Sequence, residues 1–223
     1  MRISSSRLAA ADYLEGMADT IGLTQHGISI LELGSGVGWL GMCLSHNLPR
    51  AEEVVCTEQR SGGALQWLRH NIAQNTQLRL RSLRTCHCDW SDFTADAAAG
   101  SNNCGAQQRS AEHAITPQNA PDERWDFIVG SDLVYTDEGA QQLAAVLHRL
   151  ANARTQIYYA HTKRRFENLD MLFLRALDTY GLEVEEVLEP WAPAPPASPP
   201  PFESVFPDMR LAVYKISKRM ERP

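Results

Sequence analysis

A short apolar run that ends in closely spaced glycines constrains this chain more than any other feature. Residues 28–33 read ISILEL, and the sequence continues as Glu32-Leu33-Gly34-Ser35-Gly36-Val37-Gly38 directly into a helical pattern. Glycine reaches positive φ without steric cost and lets a ligand approach the backbone closely. A helix that starts straight after such a turn offers the unpaired N–H groups of its first turn. Strand, glycine turn and helix in immediate succession point to an α/β arrangement with a ligand at the turn.

The rest of the chain repeats that rhythm. Helical periodicity over 37–48 stops at Pro49, and residues 53–57 (EVVCT) form the next short apolar run. Residues 63–75 place Leu65, Leu68 and Ile72 on one helical stripe, and 83–88 alternates as a strand. Residues 125–130 (WDFIVG) and 155–160 (TQIYYA) read as strands, followed by helices over 138–150 and 166–180. Residues 183–188 and 209–216 alternate as two further strands with no helix between them. Strands separated by helices require parallel crossovers, and two strands without one pair antiparallel. The expected fold is α/β: a Rossmann-like, seven-stranded, mostly parallel sheet with helices on both faces and the last strand antiparallel.

Two segments interrupt the pattern. Residues 94–123 are rich in Ala, Ser, Asn, Gln and Gly, and are expected to be a flexible insertion. Residues 190–201 hold a dense proline run, expected to be an extended linker; the alternative is a docking site for a proline-reading domain. A single domain over 1–223, carrying these two segments, is the expected organisation.

Composition narrows the class. With 43% hydrophobic residues among 223, the chain has enough apolar side chains for a core, which excludes wholesale disorder. No run approaches the ~20 consecutive apolar residues of a membrane helix, and the first thirty residues lack a leader pattern. The net charge of −6 argues against general affinity for a phosphate backbone. Five cysteines without paired spacing fit a reducing compartment, so the cytoplasm is expected, with the nucleus as alternative. Cys86-His87-Cys88 is the tightest cluster, but strand neighbours point to opposite faces, so buried thiols are expected there and no metal. Lys163-Arg164-Arg165 reads as a solvated rim, and the seven histidines show no ligand spacing.

The glycine loop admits two ligands. Gly36-Val37-Gly38-Trp39-Leu40-Gly41 satisfies a dinucleotide pattern, with Glu58 at the end of the second strand to hold a ribose. However, Glu32 just ahead of the glycines would repel a pyrophosphate. It suits a ligand carrying positive charge, such as the amine and sulfonium of S-adenosylmethionine (SAM). Asp89 and Trp90 after the third strand pair a carboxylate with a flat ring, which suits an adenine. Other roles for them are a turn cap for Asp89 and core packing for Trp90.

The run ILELGSGVGWLG, then VVCTE, CDW and WDFIVGSDLVY, resembles the class I, seven-β-strand SAM-dependent methyltransferases. Within them it resembles methyltransferase family 16, the protein-lysine methyltransferases with an Asp-x-x-Tyr motif, here Asp132-Leu133-Val134-Tyr135. The resemblance runs from Leu8 (LAAADYLE) to the last strand, including TKRRFENLDMLFLRAL. It implies SAM as cofactor, with Glu32, Gly34, Gly36 and Gly38 at the methionine part and Glu58 at the ribose. Asp89 and Trp90 would take the adenine, and Ser131 would lie beneath the cofactor. Asp132 and Tyr135 would face the substrate, the first holding an amine and the second aiming its lone pair. Capping by Asp132 and packing by Tyr135 are the structural alternatives. The family usually begins with a β-hairpin and a Trp; ISSS stands there, so either the sequence is shortened or the pocket is more open.

The implied activity is methyl transfer from SAM to a lysine ε-amine of a protein. The implied substrate classes are elongation factors, chaperones and ATPases. Nucleic acid and membrane are not expected as partners, and a monomer is expected. The alternatives are a histidine or small-molecule methyltransferase on the same fold, or a SAM-binding interaction protein without catalysis.

Overall fold

Helix and strand alternate through most of the chain, as the apolar periods require. The computed structural model describes residues 5–78, 80, 82–94, 114–117, 125–164, 169–187 and 209–219. Helix α1 (Ser5–Ile21) precedes strand β1 (Ser29–Glu32), α2 (Trp39–Asn47) and β2 (Glu53–Glu58). Helix α3 (Ala64–Gln74), β3 (Leu83–His87), a 3₁₀ turn (Trp90–Phe93) and β4 (Phe127–Ser131) follow. The remaining elements are α4 (Asp137–Leu150), β5 (Gln156–Arg164), α5 (Leu169–Thr179), β6 (Leu182–Glu186) and β7 (Met209–Lys218).

The seven strands form one sheet in the order β3-β2-β1-β4-β5-β7-β6. Strands β1 to β5 pair in parallel, and β7 pairs antiparallel with both β5 and β6. The expected fold is therefore the observed one, with β7 as the reversed strand. No described helix is long and apolar enough to cross a membrane.

Both sheet faces are buried, which explains why the strands read as continuous apolar runs. Along β1 and β4, Ile30, Phe127 and Val129 pack against Tyr13 and Leu14 of α1 and Leu40 and Leu44 of α2. Their strand neighbours Leu31 and Ile128 point the other way, onto Leu143 and Leu147 of α4 and Phe173 and Leu177 of α5. Helix α4 starts where Thr136 Oγ1 accepts the Gly139 N–H at 3.0 Å. Asp137 and Glu138 in its first turn and Arg149 in its last complement the helix dipole.

Two differences from the expected organisation go beyond a small shift at an element's end. Strand β5 runs four residues beyond Ala160, because β7 continues to pair with it as far as Arg164↔Met209. Within the polar segment 94–123, residues 114–117 belong to the packed structure. Ile115 is buried, its N–H donates to the His87 carbonyl at 2.8 Å, and Ala114 bridges to β3. The expectation of a uniform flexible insertion is corrected there. The remainder, 95–113 and 118–124, and the proline-rich 190–201 lie outside the described residues.

Candidate active site

In an open parallel sheet the ligand crevice lies at the carboxyl ends of the strands, where the strand order reverses. Here that point falls between β1 and β4. A cleft of about 320 Å³ opens there. The loop after β1 contributes Gly34 and Gly36, β2 contributes Glu58, and the loop after β3 contributes Asp89 and Trp90. The loop after β4 contributes Asp132, Leu133 and Tyr135. Seven of the ten expected site residues thus meet at one opening, from four separate strand ends.

The other three expected residues stand behind the wall. Glu32 is buried and does not face the cleft; its Oε2 accepts the Gly41 N–H at 3.1 Å and the Cys56 thiol at 3.3 Å. Burial raises its carboxyl to about 7, against the lowering effect of hydrogen bonds from Ser35, Cys56 and Gly41 and of the charge on Arg7. Glu32 therefore ties the start of α2 to β1 and β2, where direct contact with the ligand was expected. Gly38 precedes α2 at φ 81° and packs against Leu68. Ser131 is the last residue of β4 and is buried without reaching the cleft.

Gly34 and Gly36, both at φ 57°, carry the loop across the cleft floor. A Cβ on Gly34 would lie 2.6 Å from Leu133 Cδ2, so the loops after β1 and β4 touch only because a side chain is missing. Gly41, the third glycine of the dinucleotide-like pattern, serves packing: a Cβ there would sit 2.1 Å from Cys56 Sγ. Glu58 is raised by burial, partly offset by N–H groups of Gln59 and Gly36 and by Arg7. Asp89 caps the 3₁₀ turn, its Oδ1 accepting from Ser91 N at 3.2 Å and Ser91 Oγ at 2.8 Å. This cap and the place on the cleft wall are both real features of Asp89, and the first fixes the second. Trp90 lies over Gly34, its ring 3.4 Å from a Cβ placed there.

The loop after β4 is held by β5. Asp132 is the described non-glycine residue with positive φ, at 48°, a conformation tolerated by Asp and paid for by surrounding contacts. Its Oδ1 accepts the Thr162 N–H at 2.9 Å and its Oδ2 the Thr162 hydroxyl at 3.0 Å. The next residue, Leu133, donates its buried N–H to the Tyr159 hydroxyl oxygen at 2.9 Å. Tyr159 OH faces His161 Nδ1 at 3.4 Å, and His161 Nε2 lies 2.8 Å from Asp170 Oδ1 on α5. If each group keeps one donor role, the tyrosine hydroxyl donates to Nδ1 and the His161 proton sits on Nε2, facing the carboxylate. Burial pushes the Tyr159 pKa upward, which keeps the hydroxyl protonated as that donor. Tyr135, by contrast, is 67% exposed at the cleft mouth.

Sequence reading missed Tyr159 and Thr162, because the signal is a pairing across about thirty residues rather than a local motif. It also missed Arg7 of α1, Gln59 and Gln142, which line the cleft.

The donor set fits SAM. A carboxylate beside an aromatic ring suits the adenine, Glu58 can accept from the ribose hydroxyls, and carboxylates of Glu58 and Asp132 favour the cationic centres. A pyrophosphate would meet these carboxylates with the same sign of charge.

The comparisons with known proteins agree. A family model described as "Lysine methyltransferase" matches residues 3–104 and 97–179. A UPF0665 family protein of Schizosaccharomyces pombe is 27% identical over 159 residues, 71% of this chain and 40% of that protein. The chain thus spans less than half the length of that relative. Among solved structures, a TehB-like SAM-dependent methyltransferase of Corynebacterium glutamicum superposes with a TM-score of 0.51 at 17% identity. That match covers 96% of this chain and 98% of the other. An O-methyltransferase family protein of Burkholderia thailandensis gives 0.54 at 9% identity, covering 97% and 59%. At such identities the structures speak for the fold, and the family model speaks for descent: this chain belongs to methyltransferase family 16, the lysine methyltransferase family of SAM-dependent enzymes.

Proposed function

We propose that the chain transfers a methyl group from SAM to the ε-amine of a lysine in another protein. The observation that carries this reading is the fixed carboxylate of Asp132 beside the exposed Tyr135 at the cleft mouth. The description of the matching family supports it.

Bound SAM supplies an electrophilic methyl on a sulfonium, which leaves as a neutral thioether. The protein's task is to present a neutral amine to that methyl. A free lysine has a pKa of about 10.4 and arrives as an ammonium. Asp132 attracts it, and the two bonds from Thr162 hold the carboxylate still, so little reorganisation is needed when the cation docks. Tyr135 flanks the amine and directs its lone pair inward. The ammonium proton leaves to solvent through the open mouth on the Tyr135 side, and nitrogen then accepts the methyl.

The test is transfer of labelled methyl from SAM to proteins of a cell extract, with mass spectrometry of the labelled product. Methyl-lysine is the expected modification, and Asp132→Ala should lower the rate by about 10²-fold or more while SAM binding by calorimetry is retained. Labelled histidine or a labelled small molecule would replace the lysine reading. SAM binding without any labelled product would favour an interaction protein.

A further inference from the structure

Three carboxylates, Glu58, Asp89 and Asp132, line the cleft, yet one cation enters it. Arg7, in the first turns of α1, lines the same opening as Gly36, Glu58 and Asp132. It is the only Lys or Arg among the described residues of that wall. Its guanidinium lies across the glycine loop: a Cβ on Gly36 would sit 2.5 Å from Nη2, 3.3 Å from Cζ and 3.4 Å from Nη1. Nη2 is the nearest of the three, so the terminal amino edge of the guanidinium comes up against Gly36. The bare glycine is what admits it. The half-buried arginine also acts electrically here, since its charge offsets part of the rise that burial gives the carboxyls of Glu58 on the wall and Glu32 behind it.

SAM is a zwitterion with two positive centres and one carboxylate. The acidic groups of the cleft can serve the positive centres and the hydroxyls, and none of them can serve the carboxylate. A guanidinium beside the glycine loop can, through charge-assisted and bidentate hydrogen bonds. We propose that Arg7 binds the methionine carboxylate of SAM and so selects the intact amino-acid end of the cofactor. This rests on SAM being the ligand of the cleft.

The same residue could instead serve only to fasten α1 over Glu58, and one comparison separates the two roles. Binding of SAM and of decarboxylated SAM, which differ by that carboxylate alone, is measured by calorimetry on the full chain, for wild type, Arg7→Ala and Arg7→Lys. Wild type should prefer SAM by roughly 10- to 100-fold, the range of a hydrogen bond to a charged group. Arg7→Ala should lose that preference by weakening SAM alone, and should bind the decarboxylated ligand as well as wild type does. Arg7→Lys should keep part of the preference, because the charge remains and the fork is lost. Bound decarboxylated ligand also shows that the variant cleft is folded. An undiminished preference in Arg7→Ala overturns the proposal, and so does equal weakening of both ligands, which is the signature of a fastener. If wild type binds neither ligand, the SAM reading itself falls and takes this proposal with it.

Discussion

The loops after β1, β2 and β3 and the loops after β4 and β5 share one cleft but are held by different means. The first group is shaped by backbone conformation at its glycines and by hydrogen bonds among the paired strands β1, β2 and β3, such as Ser35 N–H to the Thr57 carbonyl. Gly34 and Gly36 turn at positive φ, and Asp89 caps a turn two residues on. The second group is held by side chains from far along the chain. Thr162 grips Asp132 across 30 residues, and Tyr159 receives the Leu133 N–H across 26. A site built the first way is fixed once β1, β2 and β3 pair. A site built the second way is only as fixed as the packing of another strand, so its mutations should separate chemistry from cofactor binding.

The sharpest break of the first region is Gly41→Ala. The added carbon would meet Cys56 Sγ at 2.1 Å and Glu32 Oε2 at 2.7 Å, inside packed structure with no room to relax. A loss of about 3 kcal/mol is expected from a urea melt, with SAM affinity falling alongside. The next effect concerns Glu32 and has a sign. Its carboxyl stands at about 7 in the fold against 4.5 in the open chain, so between those values the folded state holds the extra proton. Its stability contribution is full below 4.5 and is lost as pH rises toward 7. Glu32→Gln keeps an oxygen for the Gly41 N–H and has no charge to bury. Wild type should therefore lose about 2–3 kcal/mol more than this variant between pH 4.5 and pH 8, read from paired urea melts.

In the second region, Tyr159→Phe removes the acceptor of a buried N–H and leaves it unpaired, at a cost of about 1–2 kcal/mol. The expected signature is selective: methyl transfer falls while calorimetric SAM affinity stays within twofold. Equal loss of both would show that the two regions are one mechanical unit, and the contrast drawn above would fail.

That contrast also explains what could be read from the sequence. The glycine loop, Glu58, Asp89-Trp90 and Asp132-x-x-Tyr135 are short strings whose residue types carry their geometry, and seven of those positions meet at the cleft. Glu32 was visible as an acid beside the glycines, but only the fold shows it turned inward onto Gly41 and Cys56. Strand β5 was legible to Ala160 and no further. Beyond it the side chains are polar, and the strand persists because β7 supplies partners for its backbone. Ile115 gave no signal at all, since a single apolar residue in a polar stretch has no period.

The reversed strand has a consequence in time. β6 reaches the sheet only through β7, and β5 has no partner on that side until residues beyond 209 exist. During synthesis, therefore, β1 to β4 and the glycine loop can be in place while β5 still ends the sheet as a raw edge. The last strand to arrive sets the position of Thr162 and Tyr159, and with them Asp132. The segment that holds Asp132 is thus completed only when the last strand is in place, whereas the glycine loop and the ends of β1 to β3 depend on earlier parts of the chain.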